Sequence, residues 1–118
     1  MENAINEKSF QFAVKVLKTV RKIRNDSREY EIASQLLRSG TSIGANVAEA
    51  QYAQSKKDFA SKMSIARKEA NETKYWLQLL AAAEILPEST AQELIGDVTE
   101  LVRILTAIVK TAIDTANS

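Results

Sequence analysis

Four amphipathic helices packed lengthwise, an all-α antiparallel up-down-up-down bundle, are the fold this sequence predicts. Three observations carry that reading. The 118 residues include only three Gly and one Pro, so the chain has few places to turn. Apolar residues recur at spacings of three and four, the period of a helix with one buried face. The breaks between these stretches are short, as antiparallel neighbours in a bundle require. A single domain over residues 1–118 accounts for the length and suffices to bury a core without disulfides.

The first segment runs from about Ile5 to Arg24, with Phe10, Ala13, Val14, Leu17 and Val20 as its stripe. Asn25-Asp26-Ser27 breaks it and caps the next helix. The second segment starts near Arg28 and turns Ile32, Leu36, Ile43, Val47 and Ala50 inward. Gly40 and Gly44 interrupt it, at a cost of about 1 kcal/mol each relative to Ala in a helix interior. The apolar period resumes in phase after them, so one continuous helix is expected, with the small residues admitting a close neighbour. Ser55 reads as the N-cap of the third segment, with Asp58 in a capping-box position. Its seam is Phe59, Met63, Ala66, Ala70, Thr73, Leu77 and Leu80, widened by Ile65 and Trp76. Leu86-Pro87 ends it, because Pro suits only the first turn of the next helix. The fourth segment carries Leu94, Val98, Leu101, Leu105, Ile108 and Ala112, with a second stripe of Ile95, Val102 and Val109 beside them. That face is wider than one neighbour needs, so Ile95, Val102 and Val109 are candidates for contact with a second copy.

Composition removes most enzyme chemistry. Without Cys there is no thiolate metal site, disulfide or Cys nucleophile, and without His the commonest general base and zinc ligand are gone. Carboxylates inside a four-helix bundle suggest a di-iron centre, but that centre wants a Glu-x-x-His motif on two helices. No cofactor is expected, and no enzymatic activity. The acidic, mixed N-terminus lacks the character of a signal peptide, and no apolar run is long enough to span a bilayer. A cytoplasmic protein without a membrane partner is the expectation.

The formal charge of +1 conceals an uneven distribution. Residues 1–28 carry seven basic and three acidic side chains, residues 55–83 six and three, and residues 84–118 two and six. Lys8, Lys15 and Lys22 recur every seven residues with Lys18 on the same side, forming a ridge on the first helix. Such a ridge is either a solvated face or a surface that tracks the phosphates of RNA or DNA. Ser42, Asn46 and Glu49 share a face of the second helix, where hydrogen bonds within the helix or to a neighbour are expected. Tyr75 and Trp76 read as rim and core packing.

The run Arg38-Ser-Gly-Thr-Ser-Ile-Gly-Ala-Asn-Val-Ala-Glu-Ala50 resembles the signature of the 23S rRNA-intervening sequence proteins, small bacterial four-helix bundles. Ser42, Ile43, Asn46, Val47, Ala48 and Glu49 match the pattern, while Gly44 stands where many members carry Pro. The stretch from Phe59 to Leu80 is similar to the family's third helix. The resemblance implies a bundle that assembles as a homopentameric ring. A related branch, the accessory variability determinant of diversity-generating retroelements, has a basic surface and works with a reverse transcriptase and RNA; this chain is closer to neutral. Two functional readings are compatible with these features. One is a non-enzymatic oligomeric scaffold or adaptor. The other is an RNA- or DNA-binding accessory protein acting through Lys8, Lys15, Lys18 and Lys22.

Overall fold

Each expected interruption separates two helices in the computed structural model, which describes residues 2–118. The helices are α1 (Glu2–Asp26), α2 (Glu31–Ala50), α3 (Lys56–Ala82) and α4 (Glu88–Ala116), with no strand among the described residues. The cross-helix pairs establish the directions. Val16 and Ser9 of α1 meet Gly40 and Gly44 of α2 in descending order. Ser39 and Glu49 of α2 meet Thr73 and Lys62 of α3, and Lys8 and Lys15 of α1 meet Glu100 and Glu93 of α4. Every pair of sequential neighbours is therefore antiparallel, and α4 closes the ring against α1. The α1–α4 seam is the sparsest of the four, and the backbones of the diagonal pairs α1/α3 and α2/α4 stay apart on either side of the shared core. The bundle measures 50 × 21 × 20 Å.

Local signals explain the helix ends. Ser55 Oγ accepts the Asp58 N–H at 3.0 Å, and the Asp58 carboxylate accepts the Gln54 N–H at 3.2 Å. That is the expected cap, with its reciprocal bond one residue earlier. At the start of α2 the expected Ser27 cap gives way to Glu29, whose Oε2 accepts the Ile32 N–H at 3.0 Å, while Ser27 Oγ donates back to the Ile23 carbonyl. α3 ends in a Schellman turn: Ile85 N–H donates to the Leu80 carbonyl and Glu84 N–H to that of Ala81, both at 3.0 Å. Glu84 holds the left-handed position there, at φ 62°.

The interior follows the expected seams closely in α2 and α3 and less closely elsewhere. Leu36, Ile43, Val47 and Ala50 are buried, as are Met63, Ala66, Ala70, Thr73, Leu77 and Leu80, and α2 runs unbroken through both glycines. Ile32 and Phe59 are half-buried, and Ile65, expected to widen the α3 seam, is exposed instead because it lies on the side of α3 away from the core. In α1 the buried set is Ile5, Ser9, Phe12, Val16, Val20 and Ile23. Only Val20 of the expected stripe is among them; Phe10 is 64% exposed and Leu17 39%. α1 is apolar over two adjacent arcs, and the arc that includes Val16 turns inward because it seats on the glycines. In α4 Val109 is buried and Ile108 only half-buried. The buried positions Leu94, Val98, Leu101, Leu105, Val109 and Ala112 keep the 3.6-residue period of a straight helix, where a strict seven-residue repeat would drift off the core.

The glycines yield a paired expectation. A Cβ on Gly40 would lie 2.9 Å from both methyl carbons of Val16, whereas one on Gly96 meets nothing within 4 Å. Gly40→Ala should destabilise the protein by about 1–3 kcal/mol through overpacking. Gly96→Ala should stabilise it by up to about 1 kcal/mol through helix propensity. Urea unfolding of both variants checks the opposite signs. Glu84→Gly should also stabilise, by about 1 kcal/mol, because Gly occupies the left-handed region without the Cβ penalty; thermal unfolding reads the shift.

Candidate functional site

The helix-two motif resolves into packing roles. Ile43 and Val47 are fully buried, and Gly44 faces the Ser9 backbone of α1. Asn46 Nδ2 donates to the Ser42 carbonyl at 2.8 Å and Ser42 Oγ to that of Arg38 at 2.6 Å, so both side chains serve their own helix. Glu49 reaches across to Lys62 of α3 at 3.2 Å. Ala48, one turn beyond Gly44, is exposed.

One polar cluster ties α2 to α3. Arg38 Nη1 donates to Glu69 Oε1 at 3.2 Å, and its Nη2 donates to Glu72 Oε2. The same Glu72 oxygen accepts the Trp76 indole N–H at 3.0 Å. Tyr75 meets Trp76 edge-on with ring centroids 5.1 Å apart, which leaves Tyr75 at the rim and Trp76 half-buried against the core. Below them Thr73 Oγ1 and Ser39 Oγ, both fully buried, lie 2.8 Å apart, and Thr73 also reaches the Glu69 carbonyl at 2.7 Å. With its proton given to that carbonyl, Thr73 accepts from Ser39, and both hydroxyls are satisfied. These carboxylates are held by a guanidinium and an indole, an arrangement for cross-linking helices. No group of three or more potential metal ligands occurs among the described residues.

The lysine ridge of α1 lies along the α4 seam. Lys15 Nζ sits 2.8 Å from Asp97 Oδ2 and 2.9 Å from Glu93 Oε2, Lys8 lies 3.9 Å from Glu100, and Lys22 pairs with Asp26 of its own helix at 3.8 Å. Hydrogen bonds to Asp97 and then Glu93 raise the Lys15 pKa above its ordinary value. Its ion pairs are therefore complete at neutral pH and are lost only as pH climbs through that raised value. Arg103 holds the Glu100 carboxyl below its ordinary range, first by a hydrogen bond and then by its charge. Three of the four ridge lysines are thus matched by carboxylates of the same chain; Lys18 has no such partner among the described residues. A shallow groove of about 230 Å³ over this seam has Phe12 and Leu101 at its base and these charges at its rim.

Apolar side chains face outward on several helices. Ile95 and Val102 are half-buried on α4, but Val109 is 1% exposed and belongs to the protomer's own core, so it has no surface for another copy. On α1, Phe10 and Leu17 lie exposed two turns apart with half-buried Ala13 and Val14 between them, while Ile65, Tyr75 and Leu79 of α3 and Ile113 of α4 are exposed as well. The α1 residues were visible in the sequence; their outward direction was not, because it depends on which arc of α1 seats on the glycines. No helix among the described residues is long and apolar enough to cross a membrane.

The sequence model of the family described as 23S rRNA-intervening sequence protein matches residues 1–107. A solved structure from Bacteroides thetaiotaomicron VPI-5482, described as a protein of unknown function from the S23 ribosomal protein family, shares 43% sequence identity. It superposes with a TM-score of 0.88 and covers 90% of this chain and 98% of its own. No curated protein matches the chain.

Removing Arg38 should expose the cost of its two carboxylates. Arg38→Met is expected to lose about 1 kcal/mol near neutral pH, a modest figure because the guanidinium is about half exposed. Urea unfolding at low and high salt checks this, with the loss shrinking as screening weakens the repulsion left between Glu69 and Glu72.

Proposed function

Since the chain belongs to the family of 23S rRNA-intervening sequence proteins, we propose that it is a non-enzymatic helical-bundle scaffold whose copies join through the outward face of α1. The observation that carries this reading is the pair Phe10 and Leu17, two large apolar side chains left in solvent on one side of a helix whose other side is fully packed. Contiguous exposed apolar surface is what a protein contact covers. Ala13 and Val14 extend it along α1, and exposed Ala48 leaves α2 without bulk on the side that meets α1. Ile95 and Val102 on α4 are a secondary apolar strip, and a ring built from identical copies needs two different faces on each protomer. Five copies is the proposed count, drawn from the family resemblance. A cytoplasmic setting belongs to the same reading and fits a chain without cysteine.

The non-enzymatic part rests on how the candidate chemical groups are used. The carboxylates of the interhelical clusters are paired with Arg38, Lys62, Lys15 or Lys8, and none is grouped for metal binding. Among the described residues no nucleophile stands beside a general base, and without His and Cys the usual pairs cannot be assembled.

Light scattering on the purified chain is the direct test. The expected mass is five times that of the 13.1 kDa chain. A species of one chain mass alone would overturn the scaffold reading, and a multimer of another count would overturn the ring of five. Phe10→Glu together with Leu17→Glu should return the protein to a single chain with its helical circular dichroism intact. An assembly that survives both changes would move the interface away from α1.

A further inference from the structure

α3 sorts its charges by side. At about 100° per residue, Lys56, Lys57, Arg67, Lys68 and Lys74 fall within an arc of about 120°. Asp58, Glu69 and Glu72 all lie outside it. The contacts agree with this placement: Asp58 is engaged in the N-terminal cap, and Glu69 and Glu72 are directed to Arg38 of α2. The remaining cation of the helix, Lys62, is on the α2 side with Glu49. Among the described residues, none of the five cations in the arc has a carboxylate within ion-pair distance. α4, the other neighbour of α3, does not supply the missing charge, because its central carboxylates Glu93, Asp97 and Glu100 are directed to α1 or to Arg103. A chain of net charge +1 thereby keeps one side of its bundle positive.

We infer that this side of α3 binds the phosphodiester backbone of a nucleic acid, through Lys57, Arg67, Lys68 and Lys74. The row from Lys57 to Lys74 is about 25 Å long at 1.5 Å per residue. One strand of a duplex presents a phosphate about every 3.4 Å of axis, so a straight row of that length passes enough phosphates to engage all four cations. Exposed Asn71 and half-buried Ser64 lie in the same arc and add hydrogen-bond donors suited to phosphate oxygens. A second copy of this chain is a poor occupant, because its closest groupings of carboxylates, Glu69 with Glu72 and Glu93 with Asp97 and Glu100, are already engaged in its own interhelical pairs. A bilayer surface fits no better: α3 turns its main apolar seam into the core and leaves only Ile65, Tyr75 and Leu79 as large exposed apolar side chains, where an interfacial helix would lay a whole apolar face among the acyl chains. The surface is diagonal to α1, so the inference does not depend on the proposed assembly.

The test is fluorescence anisotropy with a labelled mixed-sequence duplex of about 25 base pairs, titrated across salt concentrations starting near 50 mM. Four contacts predict a slope of log affinity against log salt of about −3.6. Lys57→Gln together with Lys68→Gln should weaken binding roughly tenfold at the lowest salt and make the slope shallower by about 1.8. Both residues are exposed, so folding should be unaffected, and circular dichroism confirms it. Arg21→Gln together with Arg28→Gln removes the same charge from exposed positions elsewhere and should change affinity by less than about threefold. No binding near 50 mM salt, equal losses from the two double variants, or binding to vesicles containing phosphatidylserine without binding to the duplex would each overturn the inference. Loss of binding confined to the α3 variant upholds it, whether the chain is single or assembled.

Discussion

Val16 rests against the bare backbone of Gly40, and Ser9 against that of Gly44, so α1 can lie close along α2 at only one rotation about its own axis. That rotation has consequences on every side of the helix. It sends Phe12, Val16, Val20 and Ile23 into the core. It brings Lys8 and Lys15 to the α4 edge, where Glu93, Asp97 and Glu100 meet them. It leaves Phe10 and Leu17 facing solvent. A different rotation would exchange these roles, because α1 has enough apolar residues to form a second inward stripe. Two missing side chains on α2 therefore decide which residues of α1 are core and which are surface.

Electrostatics reinforces the same geometry. The acids of α4 and the bases of α1 look separable as two charged segments, yet in the fold they lie on opposite banks of the sparsest seam. Exposed pairs of this kind contribute little individually, roughly 0–1 kcal/mol. Their larger effect is to determine where charge remains. Once α4 has met α1, and Glu49, Glu69 and Glu72 have met the α2–α3 boundary, the cations on the far side of α3 stand without a carboxylate in ion-pair distance among the described residues. A near-neutral composition is thus compatible with an uneven surface, because the acids in the middle of α3 and α4 are drawn into the seams and the cations on the outer side of α3 are not.

Much of the fold was legible in the sequence, and the reasons are local. The scarcity of Gly and Pro, the Ser55–Asp58 cap and the Leu86-Pro87 stop are signals that act within a few residues. The main seam of α3 was readable because Met63, Ala66, Ala70, Thr73, Leu77 and Leu80 keep one unbroken period, although Ile65, read with it, lies exposed on another side of the helix. α1 was not, since Phe10 and Phe12, or Leu17 and Val16, are equally apolar and only the partner helix chooses between them. Val109 reads as a surface residue for a related reason: over a helix of this length, a seven-residue repeat and a 3.6-residue period diverge enough to exchange Ile108 for Val109. The lysine ridge was visible as a pattern, but its neutralisation was not. Which acids it meets depends on α4 returning beside α1, some eighty residues away in sequence.

The placement of the two unfilled surfaces on diagonal helices has a further consequence. α1 and α3 are diagonal in the bundle, so a contact made by the outward face of α1 would leave the cations of α3 accessible. Joining copies through the first face would then repeat the second around the assembly, and several weak electrostatic contacts held together act at a high effective concentration. Four cations on one protomer give an interaction that salt disperses readily; the same four on each of several joined protomers would hold one long polyanion much more firmly. Assembly and backbone binding are independent claims about separate helices, yet the first would amplify the second. The packing of α1 on α2 bears on both surfaces at once, because it sends Phe10 and Leu17 to the outside and brings Lys8 and Lys15 to the acids of α4.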